Sequence, residues 1–183
     1  DLLNKQSAAL LMVAWKGHDT ILAYFMQWGL TADDLRLYDN RVLHMAAQCG
    51  HVNILEVLQK NGLTIDDVRP NCNSPFRSAA VNGHILAMRH FRWTWGLSME
   101  DIRYDNNFVL KDVIMSGCVP AVALLREWGL DERDLGNAFN KDEVKLLFRD
   151  CKHDMLFYLD DWVGKPLIRV PLPKPKEKLR YHR

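Results

Sequence analysis

Residues 46–51 read Ala46-Ala47-Gln48-Cys49-Gly50-His51, and residues 79–84 read Ala79-Ala80-Val81-Asn82-Gly83-His84. An alanine pair, a glycine three residues later and a histidine directly after it thus occur twice, in the same order and at the same internal spacing. The glycine belongs to a column: Gly17, Gly50, Gly83 and Gly117 follow one another at spacings of 33, 33 and 34. Gly29, Gly62, Gly96 and Gly129 form a second column with spacings of 33, 34 and 33, so both columns absorb the same extra residue between Gly83 and Gly96. Ser7, Asn40, Asn73, Asn107 and Asn140 form a third. Self-similarity at a fixed period of about 33 residues is the mark of a solenoid, in which each unit buries its apolar face only against its neighbours.

Each column has a physical job. Ser and Asn are strong helix N-caps, so the third column predicts helix starts. The first glycine column, ten residues later, suits the left-handed residue that closes a helix. Between them the apolar residues Leu43, Ala46 and Ala47, or Phe76, Ala79 and Ala80, keep helical spacing. A second helix follows, for instance Val52 to Asn61 with Ile54, Leu55 and Leu58 inward, closed by the second glycine column. Pro120 opens the fourth such helix, where its missing donor is harmless. The predicted unit is a short helix, a glycine turn, an antiparallel helix and a loop of about ten residues.

On these residues the chain resembles the ankyrin repeat. The Ala-Ala helix, the Gly-His turn and Ser74-Pro75-Phe76, standing where that family has Thr-Pro-Leu, carry the resemblance over about residues 7–162. It implies an all-α solenoid of four repeats and a degenerate fifth over residues 1–163, followed by an extended tail over 164–183. The Gly-His pair is intact at Gly17-His18, becomes Gly117-Cys118 in the fourth unit and Asp150-Cys151 in the fifth. A weakened last unit is expected of a C-terminal cap.

The loops depart from the family consensus. They read Gly29-Leu-Thr-Ala-Asp-Asp-Leu-Arg36, Gly62-Leu-Thr-Ile-Asp-Asp-Val-Arg69 and Gly96-Leu-Ser-Met-Glu-Asp-Ile-Arg103, with a fourth copy, Gly129 to Leu135, that loses the arginine. Thr31 with Asp34, Thr64 with Asp67, and Ser98 with Asp101 place a hydroxyl three residues before an acid, as a capping box does. A single helical turn is therefore expected here in place of much of the usual β-hairpin finger. Leu35, Val68, Ile102 and Leu135 should point inward. This variant, with Asp39-Asn40 and Asp105-Asn106 after it, resembles the ankyrin arrays of large DNA viruses.

The chain has 183 residues, 48% of them apolar, enough for one continuous core. Its longest apolar run, Ala8 to Trp15, is too short to cross a bilayer. There is no signal-peptide pattern, although the chain begins at Asp1. Cys49, Cys72, Cys118 and Cys151 lack paired metal-type spacing, and free thiols in a reducing compartment are expected; the resemblance implies an intracellular setting, cytoplasm or virion. Charge is divided unevenly. Residues 164–183 carry seven Lys/Arg against Glu177, net +6, while residues 1–163 carry 17 basic against 22 acidic residues, net −5.

Nothing in the repeats reads as catalytic. The glycines are spaced as helix terminators rather than as a phosphate loop, and no nucleophile–His–acid set stands out. His18, His51 and His84 recur at one position, but units stacked about 10 Å apart cannot share an ion whose His bonds are near 2 Å, so they are expected to steady the turns. The tryptophans Trp28, Trp95, Trp128 and Trp162 are expected to seal junctions between units, packed on Leu30, Leu97 or Leu130; an exposed binding strip is the alternative. Arg36, Arg69 and Arg103 are expected to form loop ion pairs, with a ligand-facing fork as the alternative.

The expected function is a non-enzymatic protein–protein interaction module, without cofactor, metal, membrane or small-molecule substrate; the resemblance to viral arrays implies a host or virion protein as its partner. Arg36, Tyr38, Arg69, Arg103 and Tyr104, with Lys174, Lys176, Lys178 and Arg180 of the tail, are the candidate partner-binding residues. The alternative is a structural subunit of a virion or ribonucleoprotein whose basic tail contacts nucleic acid. The tail is Pro-rich and extended, and is expected to lie against protein, its own stack or a neighbouring copy, with Leu167, Ile168, Val170 and Leu172 in apolar grooves. The loop acids Asp33, Asp34, Asp66, Asp67, Glu100 and Asp101 would form an acidic stripe facing it.

Overall fold

The computed structural model describes residues 2–139, 143 and 153–164. The tail and its candidate residues Lys174, Lys176, Lys178 and Arg180, the apolar set Leu167 to Leu172, and Asn140 and Cys151 of the expected fifth unit lie outside the described residues. Every regular element described is a helix: α1 (Leu2–Lys16), α2 (Asp19–Gln27), α3 (Ala32–Cys49), α4 (Val52–Lys60), α5 (Ile65–Val68), α6 (Pro70–Val81), α7 (Ile85–Trp93), α8 (Met99–Ser116), α9 (Val119–Glu127), α10 (Glu132–Ala138) and α11 (His153–Val163). None is long and apolar enough to cross a membrane.

The helices form two layers. In one, α1, α3, α6, α8 and α10 pack in succession; in the other, α2, α4, α7, α9 and α11 do the same. The core lies between the layers and is built register by register. Leu22, Leu55, Met88 and Val122 occupy one position of four successive outer helices, and all are fully buried. Ala46, Ala47, Ala79 and Ala80 are also fully buried, where α3 and α6 approach each other and α6 meets α8. Small side chains are required at such a crossing. Ala80→Leu is expected to overpack it and destabilise by about 1–3 kcal/mol; an unchanged urea midpoint would rule out this packing.

The first glycine column closes helices as expected. Gly50 and Gly117 are left-handed C-caps at φ 73° and 76°. After Gly50, the amides of Gly50 and His51 turn back to the carbonyls of Ala47 and Ala46, which satisfies two carbonyls that the helix end would otherwise leave free.

The asparagine column behaves differently from a set of N-caps. Asn40, Asn73 and Asn107 sit at φ 56°, 55° and 59°, in the left-handed region rather than the extended N-cap conformation. Each ends a short left-handed stretch: Asp39-Asn40, Asn71-Cys72-Asn73 and Asp105-Asn106-Asn107. These stretches bend the chain from the loop turn into the inner helix. Successive left-handed residues are costly for most side chains, and Asn and Asp bear them best, which accounts for every residue of these stretches but Cys72. The Asn amide is spent outward. Asn40 Nδ2 donates to the carbonyl of Asp67, 3.4 Å away, and Asn73 Nδ2 to that of Asp101 at 2.6 Å. The residues read as helix caps are therefore staples between units.

Candidate functional site

The loop edge, where the candidate arginines lie, is built from four capped turns. Thr31, Thr64 and Ser98 each have extended backbone and close a capping box with Asp34, Asp67 and Asp101. The fourth loop has no hydroxyl, yet Asp131 takes the same place and closes a box with Asp134. Leu35, Val68, Ile102 and Leu135 are pinned inward. Residues 65–68 form the helical turn α5, and no β-finger occurs there. Thr64→Ala is expected to lose about 0.5–2 kcal/mol while leaving the far-UV helical signal almost unchanged; urea titration followed by circular dichroism measures both.

Each capping aspartate has a second task. Arg36 Nε lies 2.8 Å from Asp67 Oδ1, and its Nη2 lies 3.2 Å from Oδ2, so the guanidinium grips the carboxylate side-on. Arg103 holds Asp134 in the same way at 2.9 and 3.0 Å. Arg69 reaches Asp101 at 3.0 Å through Nε, with a longer 3.5 Å contact through Nη2. Planar two-point pairing is the strong form of the Arg–carboxylate bond. Two rungs add a backbone contact: Arg36 Nη2 donates to the Gly62 carbonyl at 2.7 Å, and Arg103 Nη2 to that of Gly129 at 2.9 Å. Arg36 also meets Asp33, and Arg69 meets Asp66, within their own loops.

The expected ion pairs thus exist, but their main direction is between units, from one loop's arginine to the next loop's capping acid. The sequence signal is the recurring separation of 31 or 32 residues, slightly under one period. Gly136 stands where a fourth arginine would, and the ladder ends there.

The acids respond to this. Burial raises the pKa of Asp67, but the hydrogen bonds from Arg36 and the Thr64 amide outweigh it, and the carboxyl lies below its ordinary value. Asp101, between Arg69 and Ser98, and Asp134, between Arg103 and Asp131, are lowered in the same way against their burial. Asp34 is lowered by Thr31. The expected acidic stripe is therefore only partly available, because Asp67 and Asp101 are committed to the ladder and Asp33 and Asp66 meet Arg36 and Arg69.

The histidines also link units. His51 Nε2 bonds the Trp15 carbonyl at 2.9 Å, and His84 Nε2 bonds that of Gln48 at 2.8 Å, each reaching back to the preceding unit. Their rings lie over the preceding unit's glycine. A Cβ on Gly17 would come within 2.6 Å of the His51 ring, and one on Gly50 within 2.5 Å of the His84 ring. Among the described residues, no three His, Cys, Asp or Glu come together as a metal site. Cys49, Cys72 and Cys118 are free thiols, and burial pushes the Cys49 thiol up.

The tryptophan column divides. Trp95 and Trp162 are buried, and Trp128 is half-buried, stacked on Phe76 with ring centroids 6.3 Å apart. Trp28 is 80% exposed and seals nothing. The inserted residue near Thr94 matters for Trp95. It lengthens the closing bond, so that Leu97 reaches Phe91 where Leu30, Leu63 and Leu130 each reach five residues back. That extra rotation brings Trp95 onto Phe91, at 5.6 Å.

Of the remaining candidates, Tyr104 is 62% exposed, directly after the ladder residue Arg103, and Tyr38 lies within α3. Leu37 and Pro70 hold the position of Tyr104 on the two preceding loops and are also exposed. Composition does not single these two out; the signal is their place directly after Arg36 and Arg69. The chain matches no protein-family model and no curated protein.

Proposed function

We propose that the chain is an ankyrin-type solenoid, four repeat units with a degenerate fifth, acting as a non-enzymatic module that binds another protein. The observation that carries this reading is the row Leu37, Pro70 and Tyr104. Each follows a ladder arginine directly, so three exposed apolar side chains stand at the repeat spacing on a loop edge fixed by ion pairs and capping boxes. Side chains held in place before binding lose little entropy on contact, and aromatic anchors such as Tyr104 are typical of protein interfaces. The arginines support the edge more than they offer a ligand fork, since their donors already hold Asp67, Asp101 and Asp134.

The loop resemblance to arrays of large DNA viruses makes a host or virion protein the proposed partner and the cytoplasm or virion the proposed setting. A second reading draws on the net charge of +6 over residues 164–183: a subunit whose tail contacts nucleic acid. Affinity capture from infected-cell lysate separates the two. The paired change Leu37→Ser with Tyr104→Ala should abolish capture of the protein partner without altering the melting curve, and deletion of residues 165–183 should leave it intact. Capture that ignores the paired change defeats the proposal. Capture of nucleic acid that falls steeply with salt and vanishes with the tail supports the second reading.

A further inference from the structure

The first unit leaves open a face that every later unit closes. On α2, Ile21, Tyr24, Phe25 and Trp28 fall at i, i+3, i+4 and i+7, one stripe of a helix. Their equivalents on α4 are Ile54, Val57, Leu58 and Asn61; Ile54 and Leu58 are fully buried. On α9 they are Ala121, Leu124, Leu125 and Trp128, of which the first three are buried and Trp128 stacks on Phe76 and meets Trp93, both of the preceding unit. On α2 three of the four are bare, Ile21 at 40% exposed, Tyr24 at 58% and Trp28 at 80%, while Phe25 is only partly buried where Leu58 and Leu125 are buried.

Met12 of α1 extends the face. It is 61% exposed, whereas its equivalents Ser78 and Asp112 bond His44 and Arg77 of the unit before. An independent, polar feature agrees. His51 and His84 each hold a carbonyl of the preceding unit, while His18, at the same register, is exposed. The opposite end is of another kind: α11 carries Asp154 and Asp161 on exposed positions beside Phe157.

We infer that the face formed by Met12, His18, Ile21, Tyr24 and Trp28 is a stacking interface whose occupant is one more helix hairpin of this chain's own repeat pattern. Continuity with the interfaces already built identifies it. Such a hairpin brings an outer helix against the stripe, as α2 is brought against α4, and a helix-end carbonyl to His18 Nε2, as Trp15 offers one to His51. A capping face would carry polar residues in these places. This inference concerns a surface distinct from the Leu37–Tyr104 row and stands whether or not that row binds protein.

The test supplies the occupant in register. Residues 40–72, joined directly ahead of Ser7 and followed by the rest of the chain, place a copy of the second unit on the face with the period unbroken. The extended chain is expected to melt at a higher temperature than residues 1–183, with its tryptophan emission shifted to the blue as Trp28 leaves water. Trp28→Lys should then shift the unfolding equilibrium at least about tenfold in the extended chain and no more than about twofold in residues 1–183. His18→Ala, a milder change that keeps the stripe intact, should likewise weaken only the extended chain. Equal effects of both variants in the two chains, or no gain in melting temperature on extension, would overturn the inference. So would a dimer of residues 1–183 in sedimentation equilibrium that Trp28→Lys dissociates, since a second copy would then be the occupant.

Discussion

Alanine at Gly50 is expected to lower the unfolding free energy by about 3 kcal/mol, whereas alanine at Gly29 should cost only about 1. Both glycines have positive φ, 73° and 102°, so both substitutions force a side chain into the left-handed region. What differs is the neighbour. Nothing lies within 4 Å of a Cβ on Gly29, while a Cβ on Gly50 meets His84 Cγ and Nδ1 at 2.5 Å. The ring cannot retreat without giving up its bond to the Gln48 carbonyl. The two units must then move apart or His84 must leave its seat. Urea denaturation of the single variants and of Gly50→Ala combined with His84→Ala resolves this: removing the ring should bring the alanine penalty down to that at Gly29. Equal costs at Gly50 and Gly29 in the parent chain would show that backbone conformation alone sets the glycine column.

Removing the carboxylate of Asp67 is expected to cost about 2 kcal/mol, because one side chain serves both as a helix cap and as the acceptor for Arg36. Asp67 is 8% exposed, accepts from the Thr64 amide at 2.8 Å, and takes two bonds from Arg36. Asp33, also paired with Arg36, has a side chain 94% exposed, and Asp33→Ala should leave stability unchanged within error. The ladder also sets an acid limit. Asp67, Asp101 and Asp134 hold their protons less tightly folded than unfolded, so the unfolded chain binds protons first as pH falls. Their stabilisation is complete above the unfolded aspartate value of about 3.9 and is lost progressively below it, through the lower folded values. Urea midpoints measured between neutral pH and about pH 2 should fall less steeply for Asp67→Asn than for the parent chain. Parallel curves would show that this aspartate carries no share of the acid sensitivity.

Most of the unit was legible in the residues. The glycine columns mark helix ends because few residues other than glycine take the left-handed conformation without strain, so the even spacing of Gly17, Gly50 and Gly83 fixed the turns. The capping boxes could be read for the same reason: a hydroxyl and an acid three residues apart act within one turn. The alanine pairs signalled close approach, and Ala46, Ala47, Ala79 and Ala80 are indeed fully buried.

What one period could not contain was decided only by the packed units. That Arg36 bonds Asp67 of the next loop as well as Asp33 of its own depends on how far apart neighbouring loops stand, and local sequence carries no such distance. The histidines looked like turn residues until stacking placed the His84 ring on Gly50 and gave its Nε2 the Gln48 carbonyl. Asn40 and Asn73 have the composition of helix caps, but left-handed backbone turns their amides toward the next loop. Trp28 and Trp128 share one column, yet Trp28 is exposed while Trp128 lies on Phe76 and Trp93 of the preceding unit. Local preference sets a residue's conformation through its own backbone and immediate neighbours. Which face it buries and which group it bonds are set by the unit packed against it, and at Trp28 that face stands open.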